Sequence, residues 1–421
     1  MKNDLKDNCF VEGVRNPIPN VKHKLSDYLY KRGLCVIEKK SIVFKFTGII
    51  YDKGNLIIVF PKGYTLPNDS ESLKEHIKIL IKSLIRYKNS NKKVDEYEED
   101  LLGGLGNSKS FSAAMWLIRD YIENGIISFS TEKHKLNKGK KINWSRTIKQ
   151  THPIVSSGSP FYIDLIKRNN EKNVSNLIRQ IHLFTINKCK EMLGWLYEFS
   201  LDDEVQQTKS LPSNIEICLN YLNREMNNTF VDRNIELLKN IKEFLQGSEK
   251  VNSRSEIVTL ATPYFYNIWE YMIFTIFSDE MKYILPKPYW KINNQTKYTK
   301  QIPDTIFIKG NISYIIDAKY YNVEQNLPGW PDLVKQFFYA NTYRNTLDNK
   351  GRIENIFFFP KTLEDCSIKY YGFSGIENNK EFGYIKAYLL DVYKVMILYA
   401  NYSTGSMKKD FVELNEDVKI R

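Results

Sequence analysis

The spacing of apolar positions changes several times along the chain, and each change predicts a different kind of element. Residues 1 to 67 alternate short apolar runs with turn formers. Ser41 to Ile50 (SIVFKFTGII) and Asn55 to Pro61 (NLIIVFP) flank Tyr51-Asp52-Lys53-Gly54, which predicts a β-hairpin. From Ser70 to Tyr87 the period lengthens. Leu73, Ile77, Leu80, Ile81 and Leu84 recur at spacings of three and four, the mark of an amphipathic helix, and His76 lies at the edge of the stripe in a packing role. Lys88 to Glu99 is polar and reads as the end of this helix or a loop. The glycines of Leu101 to Lys109 (LLGGLGNSK) lead into a helix over Phe111 to Asn124 that Gly125 ends. They do not make a phosphate loop, because Asn107 and Ser108 separate Gly106 from Lys109 where that motif needs an adjacent Gly-Lys.

Ile126 to Ser130 and Ile142 to Ile148 suit strands, with a basic loop over Thr131 to Lys141 between them. Helix, strand, basic loop, strand is the order of a winged helix-turn-helix. Its wing would carry Lys133, Lys135, Lys138, Lys140, Lys141, Arg146 and Lys149 against a phosphate backbone, although the same charges also suit a solvated face. Pro160 to Gln246 is helical in character, with apolar periodicity over Asn173 to Phe199 and Ile215 to Leu245 on either side of the polar break Asp202 to Ser213. Gly247 to Ser255 (GSEKVNSRS) marks the clearest boundary. The expected division is therefore 1–158, a recognition region of β and winged-helix-like parts; 159–250, a helical linker; and 251–421, a third domain.

In that third part, Pro263 to Phe277 (PYFYNIWEYMIFTIF) predicts a buried helix whose only acid is Glu270, a carboxylate that needs a partner in such surroundings. Thr305 to Lys309 and Ile312 to Ala318, joined by Gly310-Asn311, predict an antiparallel hairpin. Asp304 opens its first strand, while Asp317 and Lys319, two apart, share a face at the end of the second. Two carboxylates and an ammonium in one small volume fit a Mg2+ site, since hard divalent ions take carboxylate and water oxygens. The same groups also fit an ordinary edge salt bridge, worth roughly 0 to 1 kcal/mol. A helix over Asp332 to Tyr343 and strands over Ile353 to Phe359, Cys366 to Phe373 and part of Tyr384 to Val395 should complete a sheet.

Composition narrows the partners. The 421 residues carry a formal net charge of +12, which favours a polyanionic partner without naming one; a basic ribosomal or membrane-associated protein shares that property. A hydrophobic share of 42% and a charged share of 26% exclude wholesale disorder. The five cysteines are scattered without a CxxC pair, and His152 and His182 have no zinc-spaced partner, so free thiols in a reducing compartment are expected. The N-terminus lacks an apolar h-region and no eighteen-residue apolar span follows, which makes the cytoplasm the default location.

Pro303-Asp304, twelve residues, then Asp317-Ala318-Lys319 resembles the signature of the PD-(D/E)XK nuclease superfamily, and Asp332, Lys335, Gln336 and Tyr339 resemble the helix that follows its core. More closely, VFPKG (Val59 to Gly63), GKKINWSRTI (Gly139 to Ile148), IIDAKYY and KQFFYA are similar to phrases of the LlaJI family of restriction endonucleases. The resemblance implies an α+β or α/β multidomain protein ending in a mixed sheet flanked by helices, which hydrolyses double-stranded DNA in restriction and phage defence. It implies Mg2+ held by Asp304, Asp317, the Ala318 carbonyl and Glu270, the last at the auxiliary acidic position with Glu280 as its substitute. Lys319 would act on the attacking water, Gln336 would touch the phosphate or hold Lys319 with Tyr339 near it, and Lys335 would contact DNA. A cognate methyltransferase, a homodimer, and a separate NTPase subunit are the implied partners. A subunit that binds DNA on an inactive nuclease-like core is the rival reading.

Overall fold

In a computed structural model of the chain, the structure describes residues 5–17, 23–39, 41–52, 55–90, 95–102, 104–128, 130–138, 140–156, 158–172, 176–197, 199–254, 258–279, 285–299, 302–344, 351–403 and 405–418. It is a mixed α+β protein that divides into two units, Met1–Ser108 with Val251–Arg421, and Lys109–Lys250.

The first unit is built from both ends of the sequence. The predicted hairpin forms, as Thr47–Asp52 and Asn55–Phe60. It is the centre of a four-stranded sheet whose edges are Cys9–Val11 and Val258–Thr262. The run expected as one strand from Ser41 breaks, because Ser41–Phe44 pairs instead with Arg15–Pro17 and Cys35–Glu38 in a separate three-stranded sheet. Gly48, at φ +135°, lets Val258–Thr262 approach: a Cβ there would lie 2.2 Å from the Leu260 carbonyl oxygen. The N-terminal strands thus share a sheet with a strand that follows the boundary at Gly247 to Ser255, and the expected three-part division gives way to two units. A strand as short as Val258–Thr262 buries its apolar faces only by joining a sheet made elsewhere, and local pattern carries no mark of such a partner.

The larger sheet of this unit has five strands in the order Thr305–Lys309, Ile312–Ala318, Arg352–Lys361, Ile385–Asp391, Ile368–Ser374. Its two inner pairings are parallel and its two outer ones antiparallel. The parallel strand Arg352–Lys361 is a continuous apolar run, Ile356 to Phe359, buried on both faces as a central parallel strand requires. On one face Phe411 of the helix Gly405–Asp417 meets the rings of Phe277, Phe307, Tyr314, Phe358 and Tyr388 at 5.0–6.2 Å. On the other, Tyr339, Ala340 and Tyr343 of the helix Trp330–Arg344 pack on Ile306 and Ile315. Period 2 then puts Asp304, Asp317 and Lys319 on this second face, at the sheet end toward which Ile312–Ala318 runs. A hairpin of Tyr289–Ile292 and Gln295–Tyr298 precedes the first core strand.

In the second unit the elements expected of a winged helix are placed differently. The basic stretch is itself a strand, Ser130–Leu136, which pairs with Ile166–Lys172; that central strand also pairs with the short Lys141–Ile142. The strand expected over Ile142 to Ile148 is instead the helix Trp144–Gln150, and of the strand expected over Ile126 to Ser130 the described residues Ile126 to Ser128 are not in a strand. Asn143 decides the matter locally. Its side chain accepts the Arg146 N–H at the first turn, a cap that outweighs the β-branched residues around it. The stretch from Gly104 onward is already helical, as Gly104–Asn124, earlier than Phe111. Helices Leu177–Leu193, Ile215–Asn228 and Asp232–Arg254 follow as their periodicity predicts. His182 is fully buried and accepts the Ile127 N–H at 3.2 Å, a packing role. Among the described residues no helix is long and apolar enough to cross a membrane.

Candidate active site

The first unit holds a cleft of about 770 Å³ lined by Glu270, Asp304, Asp317, Ala318, Lys319 and Lys335, together with Glu12 and Lys62 from the N-terminal strands. Glu270 comes from the helix Phe265–Phe277, so with Glu12, Asp304 and Asp317 four separate stretches bring carboxylates to one cleft. The hairpin delivers its pair because the Gly310-Asn311 turn sets the register that puts Thr305 opposite Ile316. Asp304, just before the first strand, then faces the end of the second and accepts the Ala318 N–H at 2.7 Å.

Asp317 is 2% exposed and is held by cations on both oxygens. Lys319 Nζ lies 2.6 Å from Oδ2, and Lys335 Nζ lies 3.5 Å from Oδ1. Lys319 also reaches Asp332 Oδ1 at 2.7 Å, and the Tyr321 hydroxyl donates to Asp332 Oδ2 at 3.1 Å. Burial opposes the charge on Lys319, but Asp317 and Asp332 outweigh it and raise the ammonium's pKa, so it stays protonated. Burial likewise works against ionised Asp332, yet its bond to Lys319 and their attraction lower that carboxyl below the usual range. Asp304 goes the other way: burial, then the charges of Asp317 and Glu270, push it up to about 7 against the Ala318 hydrogen bond and Lys335.

Burial first and the two neighbouring carboxylates second thus disfavour a charged Asp304, and a bound divalent ion would offset that cost. Among the described residues no group of three or more His, Cys, Asp or Glu side chains could hold a metal ion as placed. Asp304 and Asp317 supply hard oxygens, and Mg2+ is commonly held by one or two carboxylates with water and phosphate filling the remaining positions. The donor chemistry therefore fits Mg2+ through this pair, while Glu270 stands in the same cleft, close enough to raise Asp304 electrostatically. Glu280 lies outside the described residues.

Gln336 is not in the cleft. It is 1% exposed and faces the sheet, where its amide donates to the Ile315 carbonyl at 3.0 Å and to Asn355 Oδ1 at 2.7 Å. It ties two parallel core strands together, and the bonds its amide donates run to the sheet rather than to Lys319. Helical geometry explains the difference, since Gln336 follows Lys335 by a turn of about 100° and the two present to different surroundings. Tyr339 donates its hydroxyl to the Ile302 carbonyl at 3.2 Å, and Lys335 Nζ lies over its ring at 5.5 Å.

In the second unit Lys135, Lys138, Lys140, Lys141, Arg146 and Lys149 are all exposed, while the Lys133 side chain lies outside the described residues. Trp144 is 53% exposed, an edge-on neighbour of Tyr162 and no core anchor. Sequence reasoning missed Glu12, Tyr320 and the asparagine-rich loop of Asn322 and Asn326 among the cleft walls. The phrase VFPKG was the one available sign of Lys62, and nothing local marked Glu12.

Comparison with known proteins follows the same lines. The LlaJI restriction endonuclease family model matches residues 46–397. The chain is 25% identical over 409 residues to the Type II restriction enzyme BsuMI component YdjA of Bacillus subtilis (strain 168), covering 90% of this chain and 86% of that protein. A chain of the Thermococcus gammatolerans half-complex of McrB AAA+ hexamers with bound McrC aligns over 96% of this chain and 99% of its own, at 12% identity and a TM-score of 0.39, too distant to bear on fold or partners. With more than half its length matched, including both core strands of the cleft, the chain belongs to the LlaJI restriction endonuclease family.

Proposed function

We propose that this chain is the Mg2+-dependent nuclease of a restriction system, hydrolysing phosphodiester bonds of double-stranded DNA in a core of the PD-(D/E)XK kind. The observation that carries the proposal is the convergence of Asp304, Asp317 and Lys319 at one end of a mixed sheet, in a cleft that Glu270 also lines. Asp304, Asp317 and the Ala318 carbonyl would hold the metal, with Glu270 as the auxiliary acid. Mg2+, when bound, supplies a water of lowered pKa and a counter-charge for the scissile phosphate.

The protein's own groups do the positioning. Lys319, kept protonated between Asp317 and Asp332, presents an ammonium where charge develops on a phosphoryl oxygen. The Asp304–Ala318 bond fixes the first carboxylate against the second strand. Exposed Lys135, Lys138, Lys140, Lys141, Arg146 and Lys149 would contact the duplex backbone, which sets affinity and leaves sequence choice to other contacts.

A second reading keeps this chemistry but makes the chain one subunit of a larger enzyme. The relative's designation as a component of a type II enzyme favours it. Incubating the purified chain with unmodified and methylated duplex DNA and Mg2+, alone and with the proteins encoded beside it, with and without nucleotide, separates the two. Discrete fragments from the chain alone support a self-sufficient endonuclease. Fragments that need an added protein support the subunit reading, and no cutting in any mixture refutes both.

A further inference from the structure

The turn Pro61-Lys62-Gly63, which follows the strand Asn55–Phe60, is joined at several points to the core that carries the candidate site. The Lys62 N–H donates to the Tyr320 hydroxyl at 2.8 Å, one residue beyond Lys319. The Thr362 N–H donates to the Gly63 carbonyl at 2.8 Å, and the Thr65 N–H donates to Thr362 Oγ1 at 2.8 Å, just past the end of Arg352–Lys361. Gly63 takes φ +74°, and a Cβ there would sit 2.3 Å from the Pro360 carbonyl oxygen, so only glycine brings the two backbones this close. Such a join places the Lys62 side chain rather than merely closing a loop.

That side chain points into the cleft, 35% exposed, with Nζ 5.0 Å from the Tyr320 ring centroid and 3.6 Å from Glu12 Oε1. Glu12 is itself fixed, since its Oε2 accepts the Thr47 hydroxyl at 2.8 Å and the Tyr320 hydroxyl at 2.7 Å. Lys319 has two carboxylates at 2.6 and 2.7 Å, whereas the contact of Lys62 with its acid is long. A partly exposed ammonium held near a buried carboxylate, in a cleft that Glu270, Asp304 and Asp317 also line, suits a substrate phosphate.

We propose that Lys62 contacts a phosphate of the bound DNA strand, so that the N-terminal strands complete the substrate-binding cleft; this rests on the nuclease reading above. Lys62→Met keeps the stem over Tyr320 and removes the charge, and Lys62→Arg keeps the charge. The experiment measures kcat and KM for cleavage, in the mixture where the wild type cuts, and duplex binding without metal against salt concentration. The expected result for Lys62→Met is at least a 10-fold rise in KM, a slope of log K against log salt lower by about one, and a cooperative melting transition that shows the fold is kept. Lys62→Arg should recover most of both effects.

Cleavage and salt slope equal to wild type in Lys62→Met overturn the phosphate contact and leave the nuclease reading intact. A wild type that binds but never cuts, with the slope still lowered in Lys62→Met, refutes the nuclease reading and keeps the contact. Loss of folding in Lys62→Met with full activity in Lys62→Ala would also overturn the contact. No DNA binding by the wild type in any mixture overturns both.

Discussion

Asp304 accepts the backbone N–H of Ala318 at 2.7 Å, so the carboxylate that opens one core strand is pinned to the residue between Asp317 and Lys319 on the next. The candidate site is thereby a property of the hairpin's register. A slip of one residue would send Asp317 and Lys319 to the opposite face.

The ionisation of Asp304 should govern how stability and metal binding depend on pH. Its carboxyl stands at about 7 in the folded protein against an ordinary 3.8. The folded state therefore binds the extra proton between those values, and stability falls as pH rises through that window. In urea titrations without metal, the wild type should lose roughly 1 to 3 kcal/mol more than Asp304→Asn between pH 5 and pH 8. Added Mg2+ should stabilise the wild type more at pH 8 than at pH 5, because it competes with that proton. Equal pH profiles for wild type and variant would contradict this assignment.

Lys319 neutralises Asp317 and Asp332 together. Replacing it with Met should abolish cleavage, by 100-fold or more, and should also lower stability by about 1 to 3 kcal/mol, because Asp317 is buried and would keep only the distant Lys335. Asp332→Asn should lower kcat with a smaller effect on KM, since it loosens Lys319 without removing it. A Lys319→Met protein that cuts normally would remove this site from consideration.

Gln336 should behave as a structural residue. Gln336→Leu removes the donor shared by Ile315 and Asn355 and should cost about 1 to 3 kcal/mol in chemical denaturation. Its kcat, measured well below its melting temperature, should stay within about threefold of wild type. A variant of full stability without activity would return Gln336 to the reaction.

Gly63→Ala tests the join between the N-terminal strands and the core. Positive φ and the close Pro360 carbonyl should make the variant less stable by about 1 to 3 kcal/mol. Its KM should rise as that of Lys62→Met does, since the turn that aims Lys62 has to move.

The core hairpin, the helix carrying Glu270 and the helix Trp330–Arg344 were legible because each announces itself locally, through a Gly-Asn turn, an apolar run around one acid, or helical spacing. Asp304 and Asp317 were legible for the same reason: they sit at strand ends whose period is fixed at 2. Three other features were not. The partner of Val258–Thr262 lies some two hundred residues away in sequence, and pairing at that distance leaves no periodic trace. The basic strand Ser130–Leu136 alternates Lys with polar residues, so its sequence lacks the apolar face that distinguishes a strand from a loop. Gln336 was placed by its neighbours in the motif, while its burial depends on the helix's rotation against the sheet.

The most direct test of the central claim compares wild type with Asp317→Asn on duplex DNA, in Mg2+ and in EDTA, in the mixture where the wild type cuts, reading both cleavage and binding. Cleavage by the wild type in Mg2+ alone, with binding but no cleavage by Asp317→Asn, is the expected result. Equal cleavage by the two proteins, or cleavage that persists in EDTA, would contradict it.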